Sequence, residues 1–258
     1  MADQNKGMSD LWRRLRFVFM AIVVYRLGTH IPIPGIDPAR LAALFDQNQG
    51  TILEMFNLFS GGALERMSIF ALNVVPYISA AIIMQLFSNS IPYLQELKKD
   101  GQAGRNQITQ FTRYGTVVLA FVQASALAVT LGASGLAYEP GTSFFVSAVF
   151  SVVAGTIFLM WLGEQISERG IGNGISIIIA TSILTGIPGA IGQALEQARQ
   201  GDLNILLLLG IGVLAMVVIA VVVFIERGQR RITVNYAQRQ QGRKMMQAQA
   251  SHLPFKVN

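Results

Sequence analysis

The chain has 258 residues, 52% of them apolar and only 13% charged, with a mean hydropathy of +0.47. A water-soluble domain carries about 25% charged residues, and the apolar residues here come in blocks, not amphipathic periods, which argues against a soluble core. The net charge of +6 is gathered between those blocks, and the lack of cysteine excludes disulfides and thiolate metal sites.

Crossing a bilayer takes about 20 apolar residues. In chain order, residues 17–33, 69–87, 116–136, 144–162, 175–191 and 205–225 meet or approach that length, which predicts six spans. The start, Leu11-Trp12-Arg13-Arg14-Leu15-Arg16, is basic, but no small-residue cleavage site follows the first block, so no cleavable signal peptide is expected. The first span is the least regular, since it contains Arg26 and runs into Pro32 and Pro34. Arg26 is the one mid-span charge; a functional charge and a partner for a neighbouring helix carbonyl both fit it.

Within the segment 52–64, residues 52–59 are apolar but too short to span, and Ser60-Gly61-Gly62 then breaks the run. Two readings fit, a helix lying on the outer interface and a re-entrant half-helix buried in protein or lining a cavity, because lipid cannot satisfy free backbone groups. The second span carries Asn73, Tyr77, Gln85, Ser88 and Asn89 within an arc of about 160°. That stripe is either helix–helix hydrogen bonding or a water-facing wall, and Pro76 is expected to leave the Leu72 carbonyl without its helical partner. Ala120, Ala124, Ala128 and Gly132 in the third span and Ser147, Ser151 and Gly155 in the fourth recur at four-residue spacing, as close helix packing requires. Gly170-Ile171-Gly172-Asn173-Gly174 follows no strand, so it is read as a tight turn, not a nucleotide loop.

The last 33 residues hold seven basic side chains against one acid. Ile232-Thr233-Val234-Asn235-Tyr236 is strand-like and Gln241-Gly242-Arg243-Lys244 reads as a turn, which predicts a projecting hairpin. Such a loop either fixes topology and touches anionic lipid or docks an acidic partner surface such as RNA. Basic residues mark the cytoplasmic side of short loops. Sixteen of them (from Lys6, Arg13, Arg14 and Arg16 through Lys98, Lys99, Arg105, Arg113 and Arg169 to the basic tail) alternate along the chain with only three, Arg40, Arg66 and Arg199. Both ends of the chain are therefore expected in the cytoplasm.

Enzyme chemistry has little to stand on. Only two histidines, His30 and His252, are present, and no Ser, His and Asp grouping stands out; no catalytic residue, metal or cofactor is expected. Every Asp and Glu lies in a loop or at a span end, which argues against an ion-coupled carrier. Half of a secondary solute transporter and a membrane-embedded enzyme subunit remain as alternatives.

Five segments then carry a resemblance. His30-Ile31-Pro32-Ile33-Pro34-Gly35-Ile36, the run from Phe56 to Ala63, Pro76-Tyr77-Ile78-Ser79-Ala80, the run from Glu164 to Ser176, and Glu226-Arg227-Gly228-Gln229-Arg230-Arg231 resemble the SecY family. The resemblance covers essentially the whole chain. It implies an all-α helical bundle in the bacterial plasma membrane, the first part of a ten-span channel built from two inverted halves. The first five-span half would be residues 1–191, the periplasmic loop and sixth span 192–225, and the basic cytoplasmic loop 226–258. The implied function is passing unfolded polypeptides across the membrane and releasing transmembrane segments sideways into lipid. The implied partners are SecE, SecG, the SecA motor, the ribosome and the insertase YidC, together with preproteins and their signal sequences. By the same resemblance Val74, Ile78 and Ile179 belong to a pore constriction. Phe56, Asn57, Leu58, Phe59, Ser60, Gly61, Gly62, Ala63 and Leu64 match a plug, and Arg243 and Lys244 a docking site for cytoplasmic partners. With most of the second half missing, the chain alone is not expected to conduct.

Overall fold

The computed structural model describes residues 2–47, 57, 60–139, 141–201, 205–234, 240–241, 244–245 and 251–256. Among them are eight helices: α1 (Ala2–Gly28), α2 (Pro38–Gln47), α3 (Val75–Ser90), α4 (Pro92–Lys99), α5 (Gln102–Ala133), α6 (Thr142–Arg169), α7 (Gly174–Gln200) and α8 (Ile205–Glu226). Short strands follow, β1 (Gln229–Val234), β2 (Gln240–Gln241), β3 (Lys244–Met245) and β4 (Ser251–Lys256). The protein is an all-α membrane bundle whose chain divides into two compact units, Met1–Gly189 and Ala190–Asn258.

Four helices, α5 to α8, are long and apolar enough to cross a membrane. They fall where the last four spans are expected, and three of them start earlier or run on further in polar sequence. The first two spans differ from expectation. α1 carries Arg13, Arg14 and Arg16 and stops at Gly28, five residues before the predicted end. Pro32 has no amide hydrogen and disfavours helix at the residue before it. Thr29 Oγ1 and His30 Nδ1 both bond the Arg26 carbonyl, at 2.7 and 2.8 Å, and so satisfy a carbonyl freed by the helix end.

The second predicted span begins six residues too early. Residues 69–74 form turns, and α3 starts at Val75 with Pro76 in its first turn, where a missing amide hydrogen costs nothing. The Leu72 carbonyl is not left unpaired, since it accepts from the Val75 amide at 3.2 Å. Asn73, at φ 49°, precedes the helix and does not share its polar stripe with Tyr77, Gln85, Ser88 and Asn89. At 16 residues α3 is about 24 Å long.

Within the first unit the small-residue rows pack in part, with Gly132 left in open space. Ala120, Ala124 and Ala128 of α5 are buried in one cluster with Ala148, Val149 and Val152 of α6. Gly155 lets α6 press against a turn, because a Cβ there would lie 2.0 Å from the Ile69 carbonyl oxygen. At one end of this unit the backbone joins three connections: Ile33 N–H donates to Met67 O, Asp37 N–H to Leu136 O, and Tyr138 N–H to Gly35 O. Arg113 of α5 pairs with Glu164 of α6 at 2.7 Å, and Arg14 reaches the Gly170 carbonyl at 3.5 Å. The glycine-rich segment is a turn: Gly170 N–H bonds Ile166 O at 2.8 Å, and Gly174 N–H bonds Ser167 Oγ at 2.8 Å. On the first turns of α1, hydrogen bonding to Arg14 and the charges of Arg14 and Arg13 hold the Asp10 carboxyl below its ordinary range.

In the second unit α8 is apolar on every face. β1 pairs antiparallel with β4, Gln229 opposite Lys256 through Val234 opposite Ser251, and β2 with β3. The expected hairpin is therefore nested: β2 and β3 form a short inner pair, and the strand-like segment finds its partner beyond it in β4.

Candidate functional site

The segment expected to be a plug is described at Asn57 and from Ser60 onward; Phe56, Leu58 and Phe59 lie outside the described residues. Asn57 closes the segment on itself. Its carbonyl accepts from Gly62 N–H at 3.1 Å and Ser60 Oγ at 2.9 Å, while its side chain exchanges two 3.0 Å bonds with Glu65. Ser60 Oγ accepts from Leu64 N–H at 3.1 Å. Gly61 and Gly62 take φ of +66° and +79°, a region that side chains resist. At Gly61 a Cβ would also lie 3.1 Å from the Ser182 backbone.

A buried polar hub receives that turn. Tyr25 of α1, Asn73 and Ser182 of α7 are 1%, 4% and 0% exposed, inside otherwise apolar packing. The Tyr25 hydroxyl lies 2.5 Å from Ser182 Oγ and 3.3 Å from the Ser60 carbonyl oxygen. Asn73 Nδ2 donates to Ser182 Oγ at 3.1 Å, and Ser182 Oγ donates to the Ile178 carbonyl at 2.9 Å. Next to the hub, Arg26 Nη1 donates to the Gly61 carbonyl at 3.0 Å, so the mid-span charge meets a neighbouring carbonyl. Arg66 Nη1 reaches His30 Nε2 at 3.0 Å, and that ring is itself bonded to the Arg26 carbonyl. The sequence does not single out Tyr25 or Ser182: Tyr25 shares its apolar run with Thr29, and Ser182 shares its own with Ser176, Thr181 and Thr185.

The three residues expected at a constriction meet in the same place. Val74 is buried at 2% exposure in the cluster of Tyr25, Ala63, Phe70, Leu159 and Ile178, and Ile78 and Ile179 pack half-buried against it. Val74 caps α3, and Ile78 N–H bonds its carbonyl at 3.0 Å, which keeps the pair on one face. Ala63, in the segment expected to be a plug, is fully buried in the same cluster. Beside Tyr77 a polar cavity of about 590 Å³ is lined by Asn106, Arg113, Glu164, Ser167 and Asn173. Lys244 lies on β3 in the second unit, and Arg243 lies outside the described residues.

The sequence model of the SecY family matches residues 68–258. A curated relative from Buchnera aphidicola, described as protein translocase subunit SecY, is 59% identical over 256 residues, covering 98% of this chain and 72% of its own length. The chain belongs to the SecY family. Relatives of the same description from Pseudomonas aeruginosa and Escherichia coli K12 are 64% and 59% identical, and in both the chain spans 58% of the relative's length. The fold agrees with a solved protein-conducting channel at a TM-score of 0.63 and 21% identity, covering 95% of this chain and 53% of that one. A second solved structure, at TM-score 0.63 and 22% identity, is described by a plug domain of SecY that stabilises the closed channel and maintains a membrane seal.

Proposed function

We propose that this chain forms the first part of the pore of a protein translocase in the bacterial plasma membrane, with both of its ends in the cytoplasm. Unfolded polypeptides would pass through it, and transmembrane segments would leave it sideways into lipid. The observation that carries the reading is the packing of the buried plug residue Ala63 against Val74, with Ile78 and Ile179 half-buried beside them. Aliphatic side chains suit a waist because they seal against ions without binding the passing chain, and a narrow apolar waist also dewets. The polar cavity beside Tyr77 supplies a wet compartment next to it.

SecE and SecG would complete the complex and YidC would receive released segments. SecA or the ribosome would supply the drive, docking on the basic loop at Arg243 and Lys244. The chain itself would hydrolyse nothing. Cross-linking to a stalled secretory precursor in membranes, in the full-length subunit, tests the reading. Adducts at Ile78 and Ile179 are expected; a carrier or an enzyme subunit would give no nascent-chain adduct.

A further inference from the structure

The hydroxyls of Tyr25 and Ser182 have one proton each, and four acceptor atoms compete for the two protons. Ser182 Oγ lies within bonding distance of both the Ile178 carbonyl and the Tyr25 oxygen, and Tyr25 lies within reach of both Ser182 and the Ser60 carbonyl. A hydroxyl donates once and accepts twice. Two arrangements follow. In the first, Asn73 donates to Ser182 and Tyr25 to the Ser60 carbonyl, while the Ser182 proton goes to Tyr25 or to the Ile178 carbonyl. In the second, Asn73 and Tyr25 both donate to Ser182, and Ser182 donates to the Ile178 carbonyl of its own helix.

Each pattern contains three bonds and uses every hydroxyl proton. They differ in whether the hub reaches the turn at residues 60–61. A buried hydroxyl or carbonyl left without a partner is costly, and Ser60 and Ser182 are both buried. Ordinarily, pulling the turn away would orphan the Tyr25 proton in a dry interior. Here the second pattern absorbs it, while the departing Ser60 carbonyl is hydrated. The hub thus has two arrangements of equal bond count, which is what a switching element needs.

We propose that Tyr25 and Ser182 are positioning residues that form a two-position latch for the plug segment, reaching it when it is seated and closing on α7 when it leaves. The proposal rests on reading residues 56–64 as a plug. It predicts opposite effects from two small changes. Tyr25→Phe leaves the buried Ser60 carbonyl without its side-chain donor only in the seated state, so the plug loosens. Ser182→Ala removes the alternative acceptor, so an unseated plug strands the Tyr25 proton and the seated state gains. The net value of one hydrogen bond makes each shift about fivefold.

The chain has no cysteine, so a Leu64→Cys reporter can be followed by an impermeant thiol reagent in the full-length subunit assembled in membranes. Labelling should rise about fivefold with Tyr25→Phe and fall about fivefold with Ser182→Ala, at matched amounts of subunit. A purely structural role would loosen both variants, so shifts in the same direction overturn the latch, as does no shift in either. Deletion of residues 52–59 separates the two layers of the argument. If it leaves resting ion leak unchanged, the plug reading fails and the latch with it. If it raises the leak while Tyr25→Phe leaves labelling unchanged, the latch alone fails.

Discussion

Val74, Ile78 and Ile179 share a cluster but differ in exposure, and that difference directs the experiment. Val74 is buried, so a charge there would unfold the packing around it regardless of any pore. Ile78 and Ile179 are half-buried at the margin of the cluster, where a charge can turn towards open space. Asp at either position in the complete channel is expected to raise resting ion leak with little loss of subunit. Normal leak with a reduced subunit level would reassign both to helix packing. Gly155 gives a complementary prediction for the bundle: its Cβ would meet the Ile69 carbonyl at 2.0 Å, whereas nothing lies within 4 Å of one at Gly132. Gly155→Ala should therefore cost about 1–3 kcal/mol through overpacking, and Gly132→Ala should be neutral or slightly stabilising. Thermal unfolding in detergent measures both, and equal melting temperatures would show that α6 can move away from the turn.

Elements here are shaped by proline, glycine and charge more than by helical propensity. α3 begins at the Pro76 turn, which leaves residues 61–74 free to form the series of turns that holds the hub. Asn73 sits at φ 49°, a left-handed conformation that Asn tolerates better than most residues. In the second unit, β1 and β4 form a two-stranded ladder with Pro254 opposite Arg231, so one ladder donor is missing. In the sequence, Arg243 and Lys244 fall between β1 and β4. Reversing both charges in the full-length protein should impair translocation without lowering membrane insertion, and the defect should be largest at low salt and shrink as salt rises, because salt screens exposed charges that act through encounter. Undiminished binding of the motor and the ribosome by the double variant would remove these two residues from the docking site.

For the whole molecule, the alternation of sixteen basic residues with three predicts which connections face which side. In the first unit the connections near Ile33, Met67 and Leu136 are bonded together, and Arg14 bonds the Gly170 carbonyl. Single cysteines at Tyr138 and Gln197 are expected to label from outside intact cells, and those at Gln102 and Gln240 only after permeabilisation. External labelling at position 240 would overturn the six-span topology.

Sequence alone determined the class of the protein, the positions of the four long apolar helices, the alternation of charge and the family. Each of these rests on composition or on short-range periodicity, which lipid and the family motifs both constrain directly. Local chemistry also made the glycine-rich turn at residues 170–174 legible. The end of α1 and the start of α3 were misplaced, because an apolar run reads the same whether it is helix or buried turn, and only Pro32 and Pro76 distinguish them. The hub was not legible at all. Tyr25, Asn73 and Ser182 are 157 positions apart at the extremes, and nothing periodic links them. Their pairing arises only when α1, the turns before α3 and α7 enclose a space too dry to leave a hydroxyl without a partner.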